Sequence, residues 1–266
     1  MTLATPPDLA RIPAGDFLMG ASNAQDDERP VHRVYVSEFF ISRFSVTHDE
    51  YARFIQATGQ RAPSIRELPL IASGGRDGLF EELAAAYVWE DGHPPAGHGS
   101  HPVVLVPYDD AVAYCRWLSD ALGRIARLPT EAEWEKAARG GTDGQRYPWG
   151  DDIDPSRGNF LSDPAVKNER GTRPTGTYPP NGYGLYDMAG NVWEWTVDRF
   201  EQQTINACCA PQRDDAGERY PRHVIKGGSH LCAPNYCLRY RPAARQGETV
   251  DTTTSHIGFR CVVRPG

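Results

Sequence analysis

The alternation of apolar and polar positions predicts three amphipathic helices, all before residue 140. The first is expected to begin at the capping-box pair Thr47 and Glu50 and to end at Gly59. Its inward face would carry Tyr51, Phe54, Ile55 and Thr58.

The second helix is expected to begin after Asp109, and its spacing turns Cys115 into the core. Its stripe consists of Ala111, Cys115, Leu118 and Leu122. The third begins at another capping-box pattern, starting with Thr130, and runs to about Arg139, where two glycines stop it. Helical periodicity is nearly absent from the rest of the chain.

Strand and loop signals occupy the remaining sequence. The β-branched and aromatic run 33–41 predicts a strand or two. Residues 63–101 lack periodicity and indicate irregular structure, with one short helix around 81–87. After residue 141 rigid turns alternate with aromatic residues, which is typical of a shell packed by its own side chains. The pattern predicts one α+β domain over residues 1–266, loop-rich, with a modest sheet.

Composition narrows the classes of function. The chain has 266 residues with 26 glycines and 22 prolines, which disfavours a helical bundle. Its net charge of −7 gives no global positive field, so neither nucleic acid nor an anionic membrane is an expected partner. The first residues lack a basic and apolar leader pattern, and no 18-residue apolar run occurs. We therefore expect a soluble, cytoplasmic protein.

The cysteine spacing is the most unusual chemical feature. Cys232 and Cys237 are five positions apart with a proline between them, so a turn could bring both sulfurs to one point. Two converging thiolates suit a soft ion such as Cu(I), and His230 is the nearest third donor. Three arginines that follow would favour the thiolate form: Arg239, Arg241 and Arg245. A disulfide or two inert buried cysteines fit the spacing equally well.

Other polar groups have simpler explanations. Cys208 and Cys209 are expected to be surface thiols without a role. The run 187–192 is rich in oxygen donors that Ca²⁺ could use, but on its own it is typical of an ordinary turn. Three histidines are expected to be solvated loop residues: His93, His98 and His101. Neither a phosphate-binding glycine loop nor a Gly-x-Ser-x-Gly elbow occurs.

Six motifs, in order and spacing, resemble the sulfatase-modifying-factor family over essentially the whole chain. They lie at residues 12–20, 111–117, 127–135, 181–188, 190–195 and 258–261. The resemblance implies a single loop-rich domain of the formylglycine-generating-enzyme type, which is C-type-lectin-like. Because the family includes members without oxidase cysteines, these motifs imply the fold more than the activity.

Residues 229–260 are more specifically similar to the formylglycine-generating enzymes. By that resemblance Cys232 and Cys237 are the catalytic pair that binds copper, Ser229 is the active-site serine, and Trp193 lies at the catalytic pocket. Two further residues are predicted to bind the peptide substrate: Arg245 and Tyr236.

The resemblance also implies structural calcium. One site would use a side chain and three carbonyls from Asp187, Met188, Gly190 and Val192. A second site is only partly matched, by Asn159 and Phe160, since Lys167 stands where an acidic ligand is expected. The family's structural cysteines imply that Cys115 and Cys261 are neighbours in the core, bridged or reduced according to compartment.

The expected function is a copper- and O₂-dependent oxidase that converts cysteine to Cα-formylglycine within a Cys-x-Pro-x-Arg motif of an unfolded or nascent sulfatase. Residues 87–101 depart from the family's His-Pro-Glu-Gly-Pro-like run, and Ala233 after the first cysteine is also unusual. The alternatives are the same chemistry on another peptide and a non-catalytic binding module of the same fold. A partner domain of a sulfoxide synthase is disfavoured, because the chain lacks the iron-binding helical domain of such enzymes.

Overall fold

A computed structural model describes residues 6–22, 24–65, 82–160, 171–201, 221–232 and 238–265. Within these ranges the three expected helices are present: α1 His48–Thr58, α2 Tyr108–Leu122 and α3 Glu131–Arg139. The capping boxes of α1 and α3 form as predicted, with Thr47 and Thr130 as N-caps. All three helices end at a glycine in the left-handed region. Helical residues at 82–85 agree with part of the short helix expected around 81–87.

The strands form two four-stranded sheets and a hairpin within the described residues. The first sheet has the order β1 (Leu9–Ile12), β4 (Phe39–Ser42), β10 (Val262–Val263), β5 (Ala126–Arg127). The second has the order β8 (Arg245–Thr249), β7 (Arg222–Lys226), β6 (Trp193–Arg199), β9 (Ile257–Gly258). The hairpin pairs β2 (Gly15–Met19) with β3 (His32–Val36).

The fold class is the loop-rich α+β type that the sequence predicts, but with more sheet than expected. The run 33–41 supplies β3 and β4, as predicted. The strands after residue 190 have weak alternation because they are buried on both faces: β6 begins with four buried residues in succession. No described helix is long and apolar enough to cross a bilayer.

A buried ion pair between Arg260 and Glu194 connects four segments of the fold. Arg260 is fully buried, and its guanidinium donates to Glu194 at 2.7 Å through Nε and 2.9 Å through Nη2. The same carboxylate accepts from Trp134 Nε1 at 2.7 Å and Ser45 Oγ at 2.6 Å. One carboxylate thus connects β6 to α3, to the segment before α1 and to the C-terminal segment. The sequence analysis used Glu194 only as part of a motif and missed this role.

Candidate functional site

The Ser229 turn, residues 227–232, follows directly from β7 and carries the first candidate cysteine. The Cys232 amide donates to the Ser229 carbonyl at 2.9 Å, and the Ser229 amide donates to Cys232 Sγ at 3.5 Å. Ser229 Oγ accepts from the Leu231 amide at 3.2 Å. Both Ser229 and Cys232 are buried. The structure therefore brings these two predicted site residues together, with the Cys232 sulfur accepting a backbone N–H.

Gly228 is required where this turn begins. Its φ is +68°, and a Cβ there would lie 2.8 Å from the Tyr240 Cα. Only glycine combines that left-handed backbone with so close an approach of a second chain segment. The turn is consequently pressed against the segment that carries Tyr240.

Trp193 and His230 form part of the surroundings of this turn. Trp193 opens β6, is buried, and belongs to the same apolar cluster as Cys232. His230 Nδ1 accepts from the Gly171 amide at 3.0 Å, so the neutral ring carries its proton on Nε2, which points to the Ser255 carbonyl at 3.4 Å. The ring is thus held from both sides, which limits its freedom to act as a third donor.

The three arginines expected to activate the thiols are each paired with a carboxylate. Arg241 pairs with Glu28, Arg239 with Asp27, and Arg245 with Glu131. Each guanidinium charge is therefore partly neutralised by its carboxylate partner, and the expected effect of these arginines on the thiols stays a prediction. Arg245 donates to Glu131 at 2.8 and 3.0 Å, and its assignment to peptide binding stays a prediction.

Four cysteine or tyrosine positions of the sequence analysis lie outside the described residues: Cys208, Cys209, Tyr236 and Cys237. Within the described ranges no group of three or more His, Cys, Asp or Glu side chains is arranged to hold a metal ion. The assignment of copper to Cys232 and Cys237 therefore stays a prediction.

The first candidate calcium loop contains an orphaned carboxylate oxygen. Asp187 is buried, and its Oδ2 accepts from the Gly176 amide at 2.9 Å, while its Oδ1 has no hydrogen-bond partner. Burial raises the pKa of Asp187 to about 6. A buried carboxylate with a free oxygen fits a cation ligand, because a bound cation would compensate its desolvation.

Asn191 holds the two candidate calcium segments together and was not singled out from the sequence. It is fully buried with φ +63°, and its Oδ1 accepts from Asn159 Nδ2 at 3.0 Å and from the Arg173 amide at 2.9 Å. Its backbone amide donates to the Asn159 carbonyl at 2.8 Å, and its carbonyl accepts from the His230 amide at 3.0 Å. The loop of the first candidate site is thus joined to the second site and to the Ser229 turn.

The second candidate site is only partly described, because Lys167 lies outside the described residues. Asn159 is buried, and its Nδ2 donates to the Gly171 carbonyl at 2.9 Å. Phe160 is buried in parallel ring contact with Tyr240 at 4.4 Å between centroids. Packing accounts for Phe160 without a metal role for its side chain.

The histidine-rich stretch 87–101 is more ordered than expected. His93 is exposed as predicted, but His98 and His101 are partly buried, with ring centroids 4.7 Å apart. His48, at the start of α1, lies 6.4 Å from His98. Burial, with smaller contributions from His98 and His101, lowers the pKa of His48 to about 3.

This stretch contacts a segment that also contacts the Ser229 turn. His101 Nδ1 lies 2.9 Å from Thr172 Oγ1, and the Thr172 amide donates to the Tyr87 hydroxyl at 2.8 Å. The preceding residue, Gly171, donates to His230. The part of the chain that departs from the family pattern is therefore two contacts away from the candidate active-site loop.

Cys115 and Cys261 are neighbours in the core, as the resemblance implies. Their sulfurs are 3.5 Å apart, and both are buried free thiols. The hydrogen bond to Cys115, together with burial, raises the pKa of the Cys261 thiol well above its usual value. The Cys261 thiol is therefore not a nucleophile at neutral pH in this arrangement.

The fold and the cysteine-bearing turn define the class of protein. The chain belongs to the family described as the sulfatase-modifying factor enzyme 1-like domain, whose sequence model matches residues 2–265. Formylglycine-generating enzyme of Mycobacterium tuberculosis is 41% identical to it, over 97% of this chain and 98% of that protein. Inactive C-alpha-formylglycine-generating enzyme 2 of Mus musculus is 32% identical, over 99% and 88%. The solved structure of PvdO from Pseudomonas aeruginosa has a TM-score of 0.75 and 27% identity and covers 100% of both chains.

Proposed function

We propose that this protein oxidises a peptidyl cysteine to Cα-formylglycine within a Cys-x-Pro-x-Arg motif of an unfolded sulfatase, with Cu(I) and O₂. The 41% identity to a formylglycine-generating enzyme over nearly the full length of both chains supports the reaction class. The single structural observation that carries the proposal is the Ser229 turn, which buries Cys232 with its sulfur facing a backbone N–H.

The chemistry of the donors supports a soft cation. Cys232 is a buried sulfur donor, and Cys237 would be the second ligand of a two-thiolate site. When bound, copper would supply the one-electron chemistry with O₂ that a thiolate lacks. Ser229 shapes the turn, with its hydroxyl accepting from the Leu231 amide, and Trp193, in the same apolar cluster as Cys232, would help to exclude water.

The overall reaction must balance in atoms and electrons. The substrate CH₂–SH group and O₂ yield the aldehyde CHO, hydrogen sulfide and water only if two electrons and two protons are added. A dithiol reductant supplies both and becomes a disulfide. The substrate loses its C–S bond and gains a C=O bond.

Calcium is proposed as a structural ion at the loop 187–192. The orphaned Asp187 oxygen supports it, with carbonyl ligands expected from Met188, Gly190 and Val192. The ion would neutralise the buried Asp187 carboxylate, which lies in the same loop as Asn191.

The test is mass spectrometry of a Cys-x-Pro-x-Arg peptide incubated in air with a dithiol and the Cu(I)-loaded protein. We expect loss of the thiol and formation of a hydrazide-reactive aldehyde. Cys232→Ser and metal-free protein should give none, whereas Cys115→Ser, a matched change at another buried thiol, should keep turnover if folded. Turnover by Cys232→Ser would refute the assignment.

A second candidate function follows from the altered stretch 87–101, which lies two contacts from the Ser229 turn. The same oxidase chemistry would then act on a different cysteine peptide. Tight Cu(I) binding that needs both thiols, without conversion of the sulfatase-type peptide, would favour it. Absence of both binding and turnover would favour a non-catalytic module, as the name of the 32% identical inactive relative illustrates.

A further inference from the structure

The histidine row, made up of His48, His98 and His101, lies where the stretch 87–101 packs on the start of α1. The ring centroids of His98 and His101 are 4.7 Å apart, and those of His48 and His98 are 6.4 Å apart. His48 is fully buried, while the other two rings are half-buried. Histidine is the side chain whose charge changes most readily near neutral pH, so the row is a group of neighbouring titratable side chains outside the candidate cysteine site.

Loop 98–101 closes the N-terminal end of α1. The His48 amide donates to the His101 carbonyl at 3.0 Å, and the Asp49 amide donates to the Gly99 carbonyl at 2.9 Å. A Cβ at residue 99 would lie 2.5 Å from the Asp49 carboxylate, so the loop is packed directly against the helix. The first amides of a helix have no partner within it, and the docked loop supplies acceptors to two of them.

The contact between Trp89 and His48 requires a neutral imidazole. Trp89 Nε1 donates to His48 Nδ1 at 3.0 Å. An indole N–H can only donate, so Nδ1 must accept and the single proton of the neutral ring lies on Nε2. A charged ring would carry protons on both nitrogens and would place a donor against a donor. His48 can therefore take up a proton only if this contact opens.

The groups that face the row do not stabilise additional positive charge. Burial, with smaller contributions from His98 and Arg173, lowers the pKa of His101 and outweighs its hydrogen bond to Thr172. The positive end of the α1 dipole lies at the same place. The other ionisable side chains on the segments packed around the row are Asp49 and Glu50 of α1, and Tyr87, Glu90, Asp91 and His93 of the stretch itself. Among the described residues neither His48 nor His101 is paired with a carboxylate.

Segment 171–173 connects the row to the Ser229 turn. His101 Nδ1 lies 2.9 Å from Thr172 Oγ1, and the Gly171 amide donates to His230 Nδ1 at 3.0 Å. His230 stands in the turn that buries Cys232. We propose that the histidine row is an acid-operated latch, in which proton uptake releases loop 98–101 from α1 and thereby opens the turn that buries Cys232. The role of this latch in regulating the oxidase rests on the proposed function, whereas the opening itself does not.

The direction and size of the effect follow from the linkage between proton binding and opening. A histidine whose pKa is lowered in the docked state favours docking above about pH 6.5 and opposes it as the pH falls, because the open state then binds the proton. With a pKa of about 3 when docked and about 6.5 when open, His48 alone raises the open fraction about 25-fold between pH 7 and pH 5. His101 acts in the same direction.

The experiment measures the labelling rate of Cys232 by N-ethylmaleimide, an uncharged reagent that forms a stable thioether, at pH 7 and pH 5. Each rate is read by peptide mass mapping and divided by the rate for the urea-unfolded protein at the same pH, which removes the pH dependence of the thiol itself. The normalised rate should rise about 25-fold in acid. At pH 5 it should also exceed the rate at Cys261, a fully buried thiol that only a larger unfolding exposes.

Two histidine variants separate the latch from a general effect of acid. His48→Gln removes the ring that takes up the proton and should lose most of the pH dependence, whereas His93→Gln, at the exposed histidine of the same stretch, should keep it. If His48→Gln does not fold, the protection of the Asp49 amide against hydrogen exchange is compared between the wild type and His101→Gln. That protection should fall more steeply with acid in the wild type.

Three results would overturn the latch: a normalised Cys232 rate that does not rise in acid, equal rates at Cys232 and Cys261, or an unchanged pH dependence in the variant that replaces the proton-binding ring. Failure of the protein to form Cα-formylglycine, with the latch behaving as expected, would overturn only the proposed function.

Discussion

Replacement of Glu194 by glutamine should destabilise the protein severely, because it removes the only carboxylate recorded on the buried Arg260 within the described residues. One Glu194 oxygen accepts from Ser45 and Arg260, and the other from Trp134 and Arg260. A glutamine amide offers an oxygen on one side only. Its NH₂ group must then face at least one guanidinium N–H, which is a donor facing a donor.

The magnitude follows from the burial of the pair. The exposed fractions are 0% for Arg260 and 1% for Glu194, so water cannot replace the lost acceptor. Breaking a buried pair by removing one partner costs about 3–5 kcal/mol. For a chain of this size we expect the midpoint of thermal unfolding to fall by roughly 6–20 °C.

The assay is urea and thermal unfolding of Glu194→Gln beside Glu38→Gln. Glu38 pairs with Arg11 on the surface, where the exposed fractions are 33% and 66%. Loss of such an exposed pair should leave the free energy of unfolding nearly unchanged. Equal stability of the two variants would refute the reasoning that loss of the buried pair costs far more than loss of the exposed one.

Three further measurements test individual features. Burial lowers the pKa of His48 to about 3, so below about pH 6.5 this side chain binds a proton in the unfolded chain but not in the folded protein. Its contribution therefore lowers the stability of the folded protein as the pH falls. Between pH 7 and pH 5 the free energy of unfolding, measured with urea, should fall by about 2 kcal/mol less in His48→Gln than in the wild type. Calcium at 100 times its dissociation constant should stabilise the protein by about 2.7 kcal/mol in calorimetry, and Asp187→Asn but not the exposed Asp152→Asn should abolish this gain. Gly228→Ala should destabilise more than Gly144→Ala, since both have positive φ but only the first would place its Cβ against a neighbouring backbone.

The helices could be predicted because their signals are local. Thr47 and Gly59 bound α1, and Thr130 begins the cap of α3, within a few residues of the apolar stripe. The inward position of Cys115 followed from the same spacing. The family resemblance named Ser229 and Cys232 as residues of one site, while the cysteine spacing alone left a disulfide or inert thiols equally open.

Contacts between distant segments could not be predicted from the pattern. Glu28 and Arg241 are 213 positions apart, and Glu194 and Arg260 are 66 apart. Charged residues are normally read as exposed, and nothing in the local sequence distinguishes those that pair inside the core. The same reasoning explains why the carboxylate partners of Arg239, Arg241 and Arg245 were not predicted. Asn191 was missed because its role depends on two loops meeting.

The position of β10 sets a condition on biosynthesis. This two-residue strand pairs with β4 on one side and β5 on the other, so residues near position 262 complete a sheet begun at position 9. A ribosome-bound chain therefore exposes one edge of β4 until residues 262 and 263 have been made. Pairing of such widely separated segments is slow and leaves edges open to wrong partners. Nascent chains of this protein should depend on chaperones until β10 is inserted between its two neighbours.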